Sequence, residues 1–391
     1  MSQNSIFDQI VDRTQSNSIK WTLYNPDVLP MWVADMDFKS PEPIIQALRE
    51  RVEHGVFGYE APNVDMRATV VNWLAKKYDW AIHPDDIVFL PGLVSGLNLV
   101  ARAYGHMGDN VTTMTPVYPP FLSAPVNQGM TAIGCKLKRV DDSENIRYEV
   151  DYEAFEKSIT PRTSMFYLCH PHNPAGIVFS REELLKIGEI CLKHNVLIIS
   201  DEIHCDLMLD GNKHSPMASV SEAIAQNCVT LMAPSKTFNV PGLGFSFAVV
   251  QNKRMRERLQ HAESGIVPHV NALGITAAHA AYTQCDGWLG ELQAYLTENR
   301  NVLLDYLAEN MPEIKATKPA GTYLGWLDCS KTGISGNAYD FFLKEGKVAL
   351  NNGVMFGAGG EGFVRFNFGT SRSTMLQGLD RMKAALDKLK V

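Results

Sequence analysis

The stretch Thr-Leu-Met-Ala-Pro-Ser-Lys-Thr-Phe-Asn-Val-Pro-Gly-Leu-Gly-Phe-Ser, residues 230–246, decides how the rest of the chain is read. Val229 to Met232 are mostly apolar and predict a buried strand. The run breaks at Pro234, and Lys236 follows at once. Pro241, Gly242 and Gly244 then lead into a second apolar strand, Phe245–Val250. An unpaired ammonium between two buried strands is costly to desolvate. The cost disappears if the amine forms an imine with a carbonyl cofactor. A loop lysine with its head in water fits this stretch equally well, so the other motifs must decide.

Working outward, the same grammar repeats. Short apolar runs predict strands at Ile87–Leu90, Val111–Met114, Thr131–Leu137, Ser164–Cys169, Val196–Ser200, Cys228–Met232 and Phe245–Val250. Helical patterns fall between most of them. Ser180-Arg-Glu-Glu183 reads as a capping box opening one such helix. This alternation argues for an α/β fold with a mostly parallel sheet covered on both faces. After about Val270 the chain reads as helical to Asn310. A shorter α+β pattern follows: strand Thr322–Leu327, helix Asn337–Glu345, strand Phe363–Phe368 and helix Ser373–Leu389. The expected organisation is an N-terminal segment, 1–47, packing with a small domain. A large cofactor-binding domain, 48–285, and a small C-terminal domain, 286–391, complete it.

Composition narrows the function classes. The chain has 391 residues, 45% hydrophobic and 20% charged, enough for a large core. A net charge of −7 without a basic block argues against nucleic-acid binding over a broad surface. No apolar run approaches the length of a membrane span, and residues 1–20 lack the apolar core of a secretion signal. The seven cysteines are scattered, with no Cys-x-x-Cys, which fits reduced thiols and a cytoplasmic location.

In an open α/β sheet, ligands bind beyond the carboxyl ends of the strands. Four motifs besides Lys236 sit at such ends. Pro91-Gly92-Leu93-Val94-Ser95-Gly96 opens a helix and could offer backbone N–H groups to an anion. Pro116-Val-Tyr118-Pro-Pro places an aromatic face where a flat ring could lie, although tyrosine as core filler is equally common. His170-Pro-His-Asn173-Pro frames an asparagine between two prolines. Asp201 ends a buried strand and must find a partner or a proton. A lysine, an aspartate, an asparagine, an aromatic ring and a phosphate turn suit pyridoxal phosphate. The lysine takes the carbonyl, and the acid holds the pyridine nitrogen protonated so that the ring draws electrons.

On these stretches the chain resembles fold-type I pyridoxal-phosphate enzymes of the aspartate aminotransferase superfamily. It is similar in particular to the MalY/PatB-type cystathionine and cysteine-conjugate β-lyases. The segments that carry the likeness are Met-Trp-Val-Ala-Asp-Met-Asp-Phe (31–38), Pro-His-Asn-Pro (171–174), Ser-Asp-Glu-Ile-His (200–204) and Ala-Pro-Ser-Lys-Thr-Phe-Asn (233–239). The resemblance implies Lys236 as the imine-forming lysine and proton carrier. It implies Asp201 against the pyridine nitrogen, Asn173 against the ring hydroxyl oxygen and Tyr118 stacked on the ring. Leu93, Val94 and Ser235 would bind phosphate, and His204 would lie beside the cofactor. Tyr59 would reach a partner subunit's phosphate across a homodimer interface. Arg365 would hold the substrate carboxylate, with Trp32 and Ala34 lining the substrate side.

Departures from the aminotransferase pattern point to the lyase branch. His204 stands where many transaminases have tyrosine, Gly244 where they have an arginine, and Ala233 where a phosphate-binding serine is common. The implied reaction is elimination from an S-substituted cysteine, giving a thiol, pyruvate and ammonia. An aminotransferase is the second reading, and a regulatory protein that keeps the fold is the third. Two motifs are set aside. Gly357-Ala-Gly-Gly-Glu-Gly362 has dinucleotide-loop letters but precedes a strand pattern, not a helix. His170, His172, His204 and Cys205 match no closed zinc spacing, so no metal is expected.

Overall fold

A computed structural model describes residues 5–60, 64–142 and 145–390. The first four residues of the expected N-terminal segment therefore lie outside it. Seven strands form the main sheet: β1 (Ile87–Leu90), β2 (Asn110–Thr115), β3 (Thr131–Lys136), β4 (Thr163–Cys169), β5 (Leu197–Asp201), β6 (Cys228–Met232) and β7 (Ser246–Val249). Their spatial order is β1-β7-β6-β5-β4-β2-β3. All pairings are parallel except those of β7, which runs antiparallel to both β1 and β6. Each expected sheet strand is present, and the α/β expectation holds.

Strand alternation sends successive side chains to opposite faces. Met165 and Tyr167 of β4 join one buried cluster with Leu97 and Val100 of helix Leu93–Tyr104. Phe166 and Leu168 join another, with Ala277 and Ala281 of helix Ala272–Gln284. Both faces of the sheet are thus covered, which is why its strands read as continuous apolar runs.

A third cluster lies under a small antiparallel sheet built around Leu324–Asp328 and Phe363–Asn367. Met31, Met36 and Phe38 from the N-terminal segment pack into it. In helix Asp286–Asn310, Leu289 belongs to the main core whereas Leu292 and Leu296 belong to this one.

Three local features differ from the sequence reading. The helical run after Val270 breaks at Cys285, where one helix ends and Asp286 starts the next. The expected helix over 337–345 is a single α turn, Ala338–Phe341, followed by a wider π turn, Phe342–Gly346. That turn packs on the last helix, with Gly346 facing the Arg381 carbonyl, and Lys347 closes it at φ +53°. A hairpin pairing Lys138–Asp141 with Ile146–Glu149 was not expected: the first strand is largely exposed and charged, and the second is four residues long with only Ile146 and Tyr148 buried.

Candidate active site

The carboxyl ends of β1, β2, β4, β5 and β6 open on one cavity of about 480 Å³. After β1, residues Pro91 to Ser95 bring in the N-terminus of helix Leu93–Tyr104, whose free N–H groups favour an anion. After β2 comes Tyr118, whose backbone N–H donates to the Asn173 carbonyl at 3.0 Å, locking two rim loops together. Asp201 is the last residue of β5, and Ser235 and Lys236 follow β6. The small antiparallel sheet closes the other side with Arg365 and Asn351, and Phe356 lies beside them.

Lys236 is held in the cavity wall. Its Nζ donates to the Ala34 carbonyl, which also accepts from the Tyr323 hydroxyl at 2.8 Å. Burial lowers the ammonium to about 8, with Asp35 and Asp201 pulling the other way. At pH 8 about half of these amines are neutral, against roughly a few parts per thousand for an ordinary lysine. In the cofactor-free chain an amine-selective reagent should therefore label Lys236 before the other lysines, with a pH midpoint near 8 by peptide mapping. Labelling no faster than surface lysines would show that this amine is not activated.

Asp201 is 5% exposed. Burial raises its carboxyl to about 7, and the Ile203 N–H at 3.1 Å is its one hydrogen-bond donor among the described residues. A carboxylate desolvated without a bound cation is what a protonated pyridine nitrogen would satisfy. Asn173 gives its Oδ1 to Arg365 Nη1 at 2.9 Å, so the amide's NH2 end is the one left to donate. The Asp201 carboxylate as acceptor and the Asn173 NH2 as donor, with the Tyr118 ring and the helix N-terminus, fit pyridoxal phosphate.

Arg365 is 3% exposed, and burial lowers it to about 10. Its Nη2 donates to Asn351 Oδ1 at 2.6 Å and to the Trp32 carbonyl at 3.1 Å, and its Nε has no partner among the described residues. The guanidinium lies 5.1 Å from the Phe356 ring centroid. This leaves a fixed cation with an unsatisfied donor beside the proposed ring site, suited to a carboxylate. Burial drives the His204 imidazole far below its ordinary range, with Lys236 and Arg365 adding to the effect, which favours its neutral form.

The cavity brings together Trp32, Ala34, Leu93, Val94, Tyr118, Asn173, Asp201, His204, Ser235, Lys236 and Arg365. It does not include Tyr59, which stands fully exposed on a surface groove beside Phe57 and His269. Gly244 sits at φ +61°, and a Cβ there would lie 3.2 Å from the Pro91 carbonyl oxygen. Glycine at 244 thus goes with a close approach between that turn and the turn at Pro91.

Sequence reasoning missed Asn351, Phe356 and the support under residues 31–38. Asn351-Asn352-Gly353 looks like a plain turn, yet strand pairing puts Asn351 opposite Arg365. Beneath the 31–38 segment, Arg13 pairs with Asp35 at 2.6 Å and with Asp37 at 2.8 Å. The buried Lys20 reaches Asp37 at 2.8 Å. Asn367 donates to the Val33 and Asp35 carbonyls at 2.6 and 2.8 Å. These contacts hold the backbone that receives both Lys236 and Arg365. An Asp-x-Asp pair within an apolar run was the available signal.

Known proteins resemble this chain over nearly its whole length. Residues 26–382 match the aminotransferase class I and II family. The cystathionine β-lyase PatB of Bacillus subtilis is 41% identical, over 97% of this chain and 99% of its own. Protein MalY of Escherichia coli is 31% identical, over 95% and 96%. The crystal structure of cystalysin from Treponema denticola, which contains pyridoxal 5'-phosphate, superposes with a TM-score of 0.93 at 33% identity, covering 98% of this chain and 99% of that one. Fold, cavity and near full-length similarity agree: this chain belongs to the class I and II aminotransferase family, in the branch that holds PatB and MalY.

Proposed function

We propose that this chain is a pyridoxal-phosphate-dependent carbon–sulfur β-lyase, which cleaves S-substituted cysteines to a thiol, pyruvate and ammonia. The observation that carries the reading is the meeting of Lys236, Asp201, Asn173 and Arg365 around one cavity. The similarity to a cystathionine β-lyase at 41% identity supports it. When bound, pyridoxal phosphate supplies a carbonyl for the substrate amine and a ring that draws electrons from Cα.

The residues of the chain do the rest. Lys236 Nζ, neutral in part near pH 8, takes the Cα proton and holds it close to the departing sulfur. Asp201 keeps a proton on the ring nitrogen. Arg365, braced by Asn351, Asn173 and Trp32, would grip the α-carboxylate and so fix the orientation of the substrate's Cα. Trp32, Tyr118 and Phe356 shield the reacting carbon from water. The released aminoacrylate hydrolyses to pyruvate and ammonia.

The deciding assay supplies cystathionine or an S-alkyl cysteine with and without a 2-oxo acid. Pyruvate, ammonia and thiol in the absence of any acceptor are expected; a strict need for the oxo acid would mean an aminotransferase. Lys236 and Arg365 are the only lysine and arginine lining the cavity among the described residues.

The working unit in this reading is a homodimer. Tyr59 then leaves its own surface and completes the phosphate site of a second copy. Phe57, Val56 and Ile266, all exposed, would be covered by the same contact. No helix among the described residues is long and apolar enough to cross a membrane. All seven cysteines are free and buried, which favours the reducing cytoplasm.

A further inference from the structure

Behind the cavity lies a buried polar layer that none of the chemistry above uses. Asp206 is 5% exposed and Thr237 is fully buried. Asp206 Oδ2 accepts from the Thr237 hydroxyl at 2.8 Å, and Oδ1 accepts from the Tyr78 hydroxyl. The Asp206 carbonyl accepts from Gln293 Nε2 at 2.7 Å. One residue therefore ties together the end of helix Val64–Tyr78, helix Asp286–Asn310 and the turn that carries Lys236.

The layer continues toward Asp201. The Tyr78 ring meets the His214 ring edge-on at 5.4 Å. His214 Nε2 lies 2.6 Å from Glu202 Oε2, and Glu202 Oε1 accepts from Ser200 Oγ at 2.7 Å and from the Met217 N–H at 2.9 Å. The neighbours of both Asp201 and Lys236 in sequence are thus anchored in one buried network. Tyr78, Asp206, Thr237, Glu202 and His214 do not line the cavity.

We propose that Asp206 and Thr237 are positioning residues for Lys236: the buried carboxylate holds the Thr237 hydroxyl and so fixes the backbone from which the amine reaches into the cavity. Buried carboxylates are a poor route to stability, since apolar residues of similar shape serve as well. A buried carboxylate with both oxygens paired, as in Asp206, does fix the orientation of the groups that donate to it. The far end of the same turn is pinned separately. Asn239 Oδ1 accepts from the Met36 N–H at 3.0 Å, and its Nδ2 donates to the Met36 and Phe38 carbonyls at 2.9 and 2.8 Å. Lys236 hangs between these anchors, one residue from the first. A displacement of about 1 Å in a reacting group can cost on the order of a hundredfold in rate, so a partial loosening is detectable.

The inference rests on the lyase reading, and the experiment separates the two. Thr237→Val removes one donor and keeps the shape; Thr237→Ser keeps the donor. In the cofactor-free chain, Thr237→Val should move the labelling midpoint of Lys236 by about half a pH unit or more, and Thr237→Ser should not. In the loaded enzyme, Thr237→Val should lower kcat about tenfold with KM within about twofold, and Thr237→Ser should recover kcat. Asp206→Asn should act in the same direction as Thr237→Val. An unchanged midpoint in Thr237→Val overturns the proposal, whether kcat is intact or falls only in step with thermal stability. Wild-type protein that gains no colour with pyridoxal phosphate would defeat the lyase reading, while the labelling comparison would still decide this one.

Discussion

Lys236→Ala should reduce turnover of any S-substituted cysteine by roughly 10⁴-fold, the upper range for losing a positioned proton carrier. It should also abolish the absorbance that the lysine creates with pyridoxal phosphate. The variant is expected to fold. The turn around it keeps the Phe238 N–H to Pro234 carbonyl bond at 2.9 Å and the Val240 N–H to Ser235 carbonyl bond at 3.0 Å. Asn239 and Thr237 still anchor both flanks. What disappears is an amine whose burial had cost it part of its charge. Turnover above about one per cent of wild type, in protein shown to be free of contaminating lyase, would remove Lys236 from its assigned role.

The second large effect belongs to Asp201. Asp201→Asn preserves size and the contact with the Ile203 N–H, but not the negative charge. A preorganised charge aimed at the site where charge develops is worth on the order of 10²–10³ in kcat. The loss should therefore fall in that range and appear mainly in kcat. Cofactor affinity should weaken as well. In the empty chain the carboxyl sits near 7 because burial disfavours its charge, and a cationic ring nitrogen is the partner that restores it. Stopped-flow spectra and cofactor titration measure both. Full activity in Asp201→Asn would mean that the ring nitrogen needs no anion here.

Much of the architecture was legible in one dimension. Runs such as Leu-Ile-Ile-Ser (197–200) and Cys-Val-Thr-Leu-Met (228–232) are apolar on both faces because helices cover both sides of the sheet. The rule that ligands gather at strand ends then singled out Lys236, Asp201, Asn173 and Tyr118 without coordinates. Local chemistry was readable too: Ser180 and Glu183 do cap the helix Arg181–Lys193 reciprocally. The hairpin at 138–149 and the π turn at 342–346 escaped notice. The π turn takes its shape from packing against the last helix, whereas Ile146–Glu149 does alternate buried and exposed residues, a short period-two signal that was passed over.

The order of residues alone nominated side chains for chemistry, since a lysine or an acid placed directly after a buried strand must find a partner or a use. It could not say what braces them. Asn351 faces Arg365 through antiparallel pairing, Ala34 meets Lys236 across 202 positions, and Asp206 joins Thr237 across 31. Such pairs exist only once the chain has closed on itself. A hydrogen bond is decided by a few tenths of an ångström in space, and separation along the sequence carries no information about that.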